Sequence, residues 1–217
     1  MIQTVIFDMD GVIVDTEPVH RYAYFKHFEE LNVVISDELF STFTGNSTRN
    51  VFQKIKNTFG LTQDVEDLIQ RKRAIFNDAF DTKADLELLE GVEQLIIDLH
   101  INGMQLILAS SASKVTIERV FKRFQLHSYF NHIISGEDFP KSKPDPAIFV
   151  DAALKSGHLF ENCIVIEDSS NGVRAAKLAN LRCIGYTSIH SKMQDLSMAD
   201  TIINHFNELD YLKISTM

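Results

Sequence analysis

Six short, continuously apolar runs punctuate the chain: Thr4–Phe7, Leu106–Ala109, His132–Ile134, Cys163–Ile166, Cys183–Tyr186 and Thr201–Ile203. A strand with one face on water alternates apolar and polar residues, whereas a strand buried on both faces does not. These runs do not alternate, so both faces of the sheet they build must be covered. The segments between them carry helix punctuation. Gly91 precedes VEQLIIDLHIN, which stops at Gly103, a glycine placed just past a helix end. Asp145-Pro146 pairs a capping aspartate with a proline at the first helical position, and that helix is expected to reach Gly157. Strand and helix in repetition predict an α/β fold with a parallel sheet.

One stretch breaks the rhythm. About 98 residues separate Phe7 from Leu106, far more than a crossover helix needs. Nearly all of that excess reads as helix: PVHRYAYFKHFEEL, SDELFSTF, TRNVFQKIKNTFG and DVEDLIQRKRAIFNDAF. The expected organisation is a sheet domain made of residues 1–16 and 83–217, with a small all-helical domain, 17–82, inserted after the first strand.

Apolar residues make up 45% of the 217 and charged residues 24%, proportions that suit a full core with a smaller insert. The net charge of −9 argues against nucleic acid, whose binders present a basic face. A small anionic metabolite remains compatible if a metal ion and a few cations are focused in one cleft. Cys163 and Cys183 lie in apolar runs without ligand-like neighbours and read as reduced, packed thiols. The opening MIQTVIFDMD lacks the basic start of a signal peptide, and no stretch approaches the ~18 apolar residues of a membrane span. The expectation is a cytoplasmic protein with no membrane partner. Nothing sets an oligomeric state, and a monomer fits.

Ligands of open parallel sheets bind beyond the carboxyl ends of the strands. The first run ends in Asp8-Met9-Asp10-Gly11, the second in Ser110-Ser111-Ala112-Ser113, and the fourth in Glu167-Asp168; Lys141-Ser142-Lys143-Pro144 follows the third. Each piece alone is an ordinary turn or helix cap. Their conjunction along successive strand ends brings acidic, hydroxyl and basic groups to one rim. Carboxylates gathered there repel one another unless a hard cation sits among them, and oxygen donors suit Mg²⁺.

Four ordered motifs carry a resemblance that covers essentially the whole chain: FDMDGVIVDTEPVH at 7–20, LILASSASK at 106–114, KSKPDPAIF at 141–149 and VIEDSSNGVRAA at 165–176. Together they resemble the haloacid dehalogenase superfamily of aspartate-nucleophile phosphotransferases, and most closely its branch of β-phosphoglucomutase and small sugar-phosphate phosphatases. The resemblance implies a Rossmann-like sheet with the helical insert as a mobile cap. It implies that Asp8 attacks phosphorus and that Asp10 is the general acid-base. A carbon–halogen leaving group needs no proton, so Asp10 speaks against dehalogenation. Mg²⁺ would be held by the Asp8 carboxylate, the Asp10 backbone carbonyl and Asp168, with Glu167 a direct or water-mediated ligand. The Ser111 hydroxyl, the Ala112 N–H and Lys143 would bind the phosphoryl oxygens, with Ser110 the alternative register for Ser111 and Lys143 matching the Lys-Pro pattern better than Lys141. At the hinge, Thr16, and in the insert, His20, Arg49 and Lys72, correspond to substrate-binding positions. For His20 an ordinary place on a helix surface stays open, and for Lys72, flanked by Arg71 and Arg73, a solvated basic face does. The loop after Gly45 is one residue longer than the family's.

The expected function is a Mg²⁺-dependent phosphatase acting on a small phosphorylated metabolite, a sugar phosphate by resemblance, through an aspartyl phosphate. The alternative is a β-phosphoglucomutase-like sugar phosphomutase, which returns the phosphoryl group to its substrate. A signalling receiver domain also phosphorylates an aspartate beside Mg²⁺, a hydroxyl and a lysine, but it is shorter and lacks the helical insert.

Overall fold

The computed structural model describes residues 1–43, 46–83, 85–188 and 194–217. Its backbone divides into two compact units, Thr16–Leu86 and Met1–Asp15 with Glu87–Met217. Relative to the boundaries expected from sequence, Thr16 and residues 83–86 go with the helical unit. Pattern marks where the last apolar helix stops but not where the unit ends, and Leu86, beyond that helix, is buried.

The helical unit contains α1 (Glu17–Glu30), α2 (Asp37–Ser41), α3 (Thr48–Phe59) and α4 (Val65–Thr82). Three of these starts are fixed by side chains that accept otherwise orphaned backbone N–H groups: Ser36 from Leu39 at 3.2 Å, Ser47 from Asn50 at 3.2 Å and Asp64 from Glu66 at 2.7 Å. The unit closes over a core rich in aromatics, with Tyr24, Phe28, Phe40, Phe43 and Phe52 buried together. Ring pairs such as Tyr24–Phe52, 5.7 Å between centroids, add directional contacts to the area buried.

The sheet unit contains β1 (Thr4–Phe7), β2 (Gln105–Ser110), β3 (His132–Ser135), β4 (Cys163–Glu167), β5 (Arg182–Tyr186) and β6 (Thr201–Ile203), with α5 (Val92–Ile101), α6 (Lys114–Arg123), α7 (Ala147–Ser156), α8 (Ser170–Leu178) and α9 (Tyr211–Ser215). All the strand pairs are parallel, in the order β3-β2-β1-β4-β5-β6. Alternate strand residues (Ile6, Ile107, Ala109, Val165) pack in one cluster with Phe149, Ala152 and Ala153 of α7 and Val173 and Ala176 of α8. Every residue of β1 is buried, as its unbroken apolar run requires. Cys163 and Cys183 are free and buried, so the expected packed thiols are found.

One cap differs from expectation. Helix α7 begins at Ala147 with Pro146 in the capping position, one residue later than the Asp-Pro pattern implies. The Asp145 carboxylate still accepts the Ala147 N–H at 3.1 Å, so its chemistry is the expected one and only the register moves.

The strand order reverses about β1, which has β2 on one side and β4 on the other. Phe7 pairs with Leu108 and with Ile166, and the Asp8 N–H donates to the Ile166 carbonyl at 3.0 Å. This register sets the carboxyl ends of β1, β2 and β4 side by side, at the crevice where such sheets bind ligands.

Candidate active site

The sheet delivers Asp8 and the turn after it fixes Asp10. The Met9 carbonyl accepts the N–H groups of Ile13 at 2.8 Å and Val14 at 3.2 Å, while the Gly11 N–H donates to the Val14 carbonyl at 2.9 Å. Gly11 has φ +83°, and a Cβ there would run into the Asp168 carboxylate. Only glycine both adopts that angle and leaves that space.

Lys143 ties three strand ends together. Its Nζ donates to Asp8 Oδ1 at 2.6 Å, to Glu167 Oε1 at 2.8 Å and to the Ala109 carbonyl at 3.0 Å, which uses all three of its protons. The ammonium also lies 4.5 Å from the centroid of the Phe149 ring. Lys143 is 6% exposed and Glu167 1%, whereas Lys141 is exposed, so the structure separates the two lysines as the Lys-Pro pattern does. Burial disfavours the Lys143 charge, but Asp8 and Glu167 together outweigh it and hold the amine above the usual lysine range.

The carboxylates feel the opposite pressure. Burial, with the negative charges of Glu167 and Asp10 added and Lys143 opposing, raises the Asp8 carboxyl to about 7. Asp168 is also held well above the ordinary range, by burial first and then by Glu167, Asp8 and Asp10. Four acidic groups crowd one ammonium and disfavour one another's ionisation, a pressure that a bound cation would relieve. Among the described residues no three acidic or imidazole side chains cluster closely enough to hold a metal by themselves. Mg²⁺ does not need such a cage, because it keeps several waters and uses one or two carboxylates beside substrate phosphate. Asp8 and Asp168, with the Asp10 carbonyl, therefore fit it. Glu167 has protein partners of its own: Oε1 accepts from Lys143, while Oε2 accepts both the N–H and the hydroxyl of Ser169 at 2.9 Å. Both oxygens of Glu167 therefore already accept hydrogen bonds, and they keep lone pairs for a cation or its water.

The loop after β2 separates its serines. Ser110 is fully buried and its hydroxyl accepts the Ala112 N–H at 3.0 Å, whereas Ser111 is exposed. Ser111 thus carries the exposed hydroxyl. The Ala112 N–H, expected on a phosphoryl oxygen, is engaged by Ser110 and is available only as a shared donor.

In the helical unit, Lys72 does not lie on a solvated face. It is 2% exposed, with Nζ 2.6 Å from His20 Nδ1 and 4.5 Å from the Tyr24 ring centroid, and His20 packs on Phe76 at 4.4 Å. Its neighbour Arg71 instead pairs with Glu30 at the surface. Arg49 forms an exposed ion pair with Glu66. Thr16 is buried at the start of α1. Gly45, which opens the lengthened loop, lies outside the described residues. Sequence reasoning missed the Ala109 carbonyl and Ser169 as supports of Lys143 and Glu167; a backbone carbonyl leaves no mark in a sequence, and a serine before a helix reads as a cap.

The haloacid dehalogenase-like hydrolase family model matches residues 5–186. Hexitol phosphatase B of Escherichia coli (strain K12) is 31% identical over 82% of this chain and 81% of its own length. The chain spans only 18% of a longer relative, the chloroplastic SUPPRESSOR OF QUENCHING 1 protein of Arabidopsis thaliana, at 31% identity over 84% of this chain. Among solved structures, CbbY from Rhodobacter sphaeroides in complex with phosphate superposes with a TM-score of 0.88 at 26% identity, covering 100% of both chains. A β-phosphoglucomutase from Clostridium difficile gives 0.85 at 27% identity, covering 100% of this chain and 96% of that one. Among the described residues no helix is long and apolar enough to cross a membrane.

Proposed function

The chain belongs to the haloacid dehalogenase-like hydrolases, and we propose that it is a Mg²⁺-dependent phosphatase of small phosphorylated metabolites, sugar phosphates in particular. The observation that carries this reading is the buried junction of Lys143 with Asp8 and Glu167 at the ends of β1 and β4, with Asp168 beside it.

The Asp8 carboxylate attacks the phosphorus of the ester, and the bond to the leaving oxygen breaks as Asp10 gives that oxygen a proton. The product alcohol departs and leaves an aspartyl phosphate. Asp10, now a carboxylate, takes a proton from water as the water oxygen attacks phosphorus, which frees inorganic phosphate and restores Asp8. Ser111 holds the phosphoryl oxygens. Lys143, whose protons are shared with Asp8, Glu167 and the Ala109 carbonyl, steadies them by its charge, with the Ala112 N–H likewise a shared donor. Asp8, the Asp10 carbonyl and Asp168 would hold Mg²⁺, which when bound would supply charge that offsets repulsion between nucleophile and phosphate. His20 and Lys72, with Thr16 and Arg49, are read as the helical unit's contribution to substrate choice.

A phosphomutase is the second reading, supported by the similarity to a β-phosphoglucomutase. It requires a second phosphate site, for which Arg49 is the candidate. Arg49 here carries Glu66, and the DTEPVH stretch is at least as typical of the hydrolases. Both points favour hydrolysis. The test is a phosphate-release screen across sugar phosphates, with and without Mg²⁺ and β-glucose 1,6-bisphosphate. Hydrolysis predicts free phosphate from several substrates without the bisphosphate, and none with excess chelator. Conversion of glucose 1-phosphate to the 6-phosphate much faster than phosphate appears would establish the mutase.

A further inference from the structure

Edge strand β3 contributes no group to the chemistry, yet the four residues at its end grip the loop after β2. The parallel register pairs Ser135 with Ser110, so the chain beyond β3 emerges beside that loop. Ser135 is 1% exposed, and its hydroxyl donates to the Ala112 carbonyl at 2.7 Å while accepting the Glu137 N–H at 3.2 Å. Gly136 follows in such close approach that a Cβ would stand 3.0 Å from Ser111 Cα, 3.4 Å from the Ser111 carbonyl and 3.5 Å from the Ser110 carbonyl. The Glu137 carboxylate accepts the Lys114 N–H at 2.9 Å, and Asp138 pairs with the Lys114 ammonium at 2.6 Å.

Helix α6 already has an internal cap, since Ser113 Oγ accepts the Thr116 N–H at 3.2 Å. The Glu137 bond therefore adds an anchor from outside the helix. Ser111, Ala112 and Lys114 are thus each met at their backbone by one of three successive residues of one turn. Atoms crowded against backbone cannot be relieved by turning a side chain, so a side chain at Gly136 presses Ser111 and the turn apart by a few tenths of an ångström.

We infer that Ser135, Gly136 and Glu137 are positioning residues that set where Ser111 and Ala112 meet the transferred phosphoryl group. The inference rests on reading the 110–113 loop as the phosphate site. Asp138 contributes less, because its ion pair with Lys114 is largely solvated.

The test measures inorganic phosphate binding by calorimetry, with Mg²⁺ present, together with kcat and KM on a sugar phosphate. The full chain is compared with S135A, G136A, E137A and E137Q, each checked for a cooperative melt. Misplacing a donor by a fraction of an ångström predicts roughly a tenfold weaker phosphate Kd in S135A and G136A, with kcat/KM down about 10- to 100-fold. E137A loses several-fold, and E137Q recovers most of that because its amide oxygen still accepts the Lys114 N–H. A purely structural role would lower Tm but leave the phosphate affinity of the folded variants alone. If G136A does not fold, S135A and the E137A/E137Q pair decide the matter. Folded S135A and E137A with wild-type phosphate affinity and kcat would overturn the brace while leaving the phosphatase reading intact. A wild-type chain that neither binds phosphate nor hydrolyses phosphate esters would overturn that reading and the brace with it.

Discussion

Lys143 of the sheet unit and Arg49 of the helical unit each meet a carboxylate, in very different surroundings. Lys143 is buried, donates three hydrogen bonds and bridges two carboxylates that arrive on different strands. The Arg49–Glu66 pair keeps 62% and 47% of its side-chain surface in solvent. Removing one partner of a buried pair strands a charge and costs about 3–5 kcal/mol, whereas exposed pairs contribute about 0–1 kcal/mol. The sheet unit thus gathers its buried charges beyond strand ends, whereas the helical unit buries an aromatic core and leaves the Arg49–Glu66 pair in solvent. On the proposed function, the buried charges of the sheet unit would govern rate and the exposed charges of the helical unit substrate preference.

The strongest way to break that division is at Asp8. D8N keeps the shape but is neither a competent nucleophile nor an anionic ligand, and turnover should fall by about four to six orders of magnitude with the fold retained. A tenth of the wild-type rate in Mg²⁺ would end the assignment. K143A comes next. It leaves Asp8 and Glu167 unpaired in a buried site, so Tm should fall with the loss of about 3–5 kcal/mol, and kcat of the folded fraction should drop about 10²–10³-fold. Chemical denaturation with matched steady-state kinetics checks both.

In the helical unit, F52A opens a cavity among Tyr24, Phe28 and Phe43 and should destabilise that unit by about 3–5 kcal/mol. Hydrogen exchange should localise the loss to residues 16–86, with protection of β1, β2 and β4 unchanged. Equal loss in both units would show that they do not respond separately. The smallest effect belongs to R49A, with stability changed by less than about 1 kcal/mol. KM should rise only for substrates whose far end is polar or charged, and kcat should hold. A collapse of kcat in R49A would move rate-determining chemistry into the helical unit.

The two units also differ in how much of them could be read in advance. The runs that became β1, β2, β4 and β5 stood out because burial on both faces removes polar residues from them. The edge strands β3 and β6 are apolar but leave Ile133 and Ile202 exposed, against the expectation of cover on both faces. The strands themselves extend to Gln105, Ser110, Ser135, Glu167 and Arg182, because ladder hydrogen bonds continue past the last apolar side chain. The acidic and basic groups at strand ends were legible because a parallel sheet binds at one rim, so sequence order alone brings Asp8, Lys143 and Asp168 together. Ser110 and Ser111 could not be separated, since adjacent serines share one chemistry and differ only in which is buried. The Lys72–His20 contact joins residues 52 apart on different helices, which no local pattern encodes. The turn at Ser135–Glu137 was invisible for a related reason: its partners are backbone atoms of a neighbouring strand's loop.

The account stands or falls on where the phosphoryl group goes. With a sugar phosphate and Mg²⁺, acid quenching during steady turnover followed by digestion and mass spectrometry should find one added phosphoryl group on the peptide containing Asp8. The label should decay at the rate at which phosphate appears, and it should be absent from D8N. Rapid phosphate release with Asp8 unmodified, or with the phosphoryl group on another residue, would contradict the account.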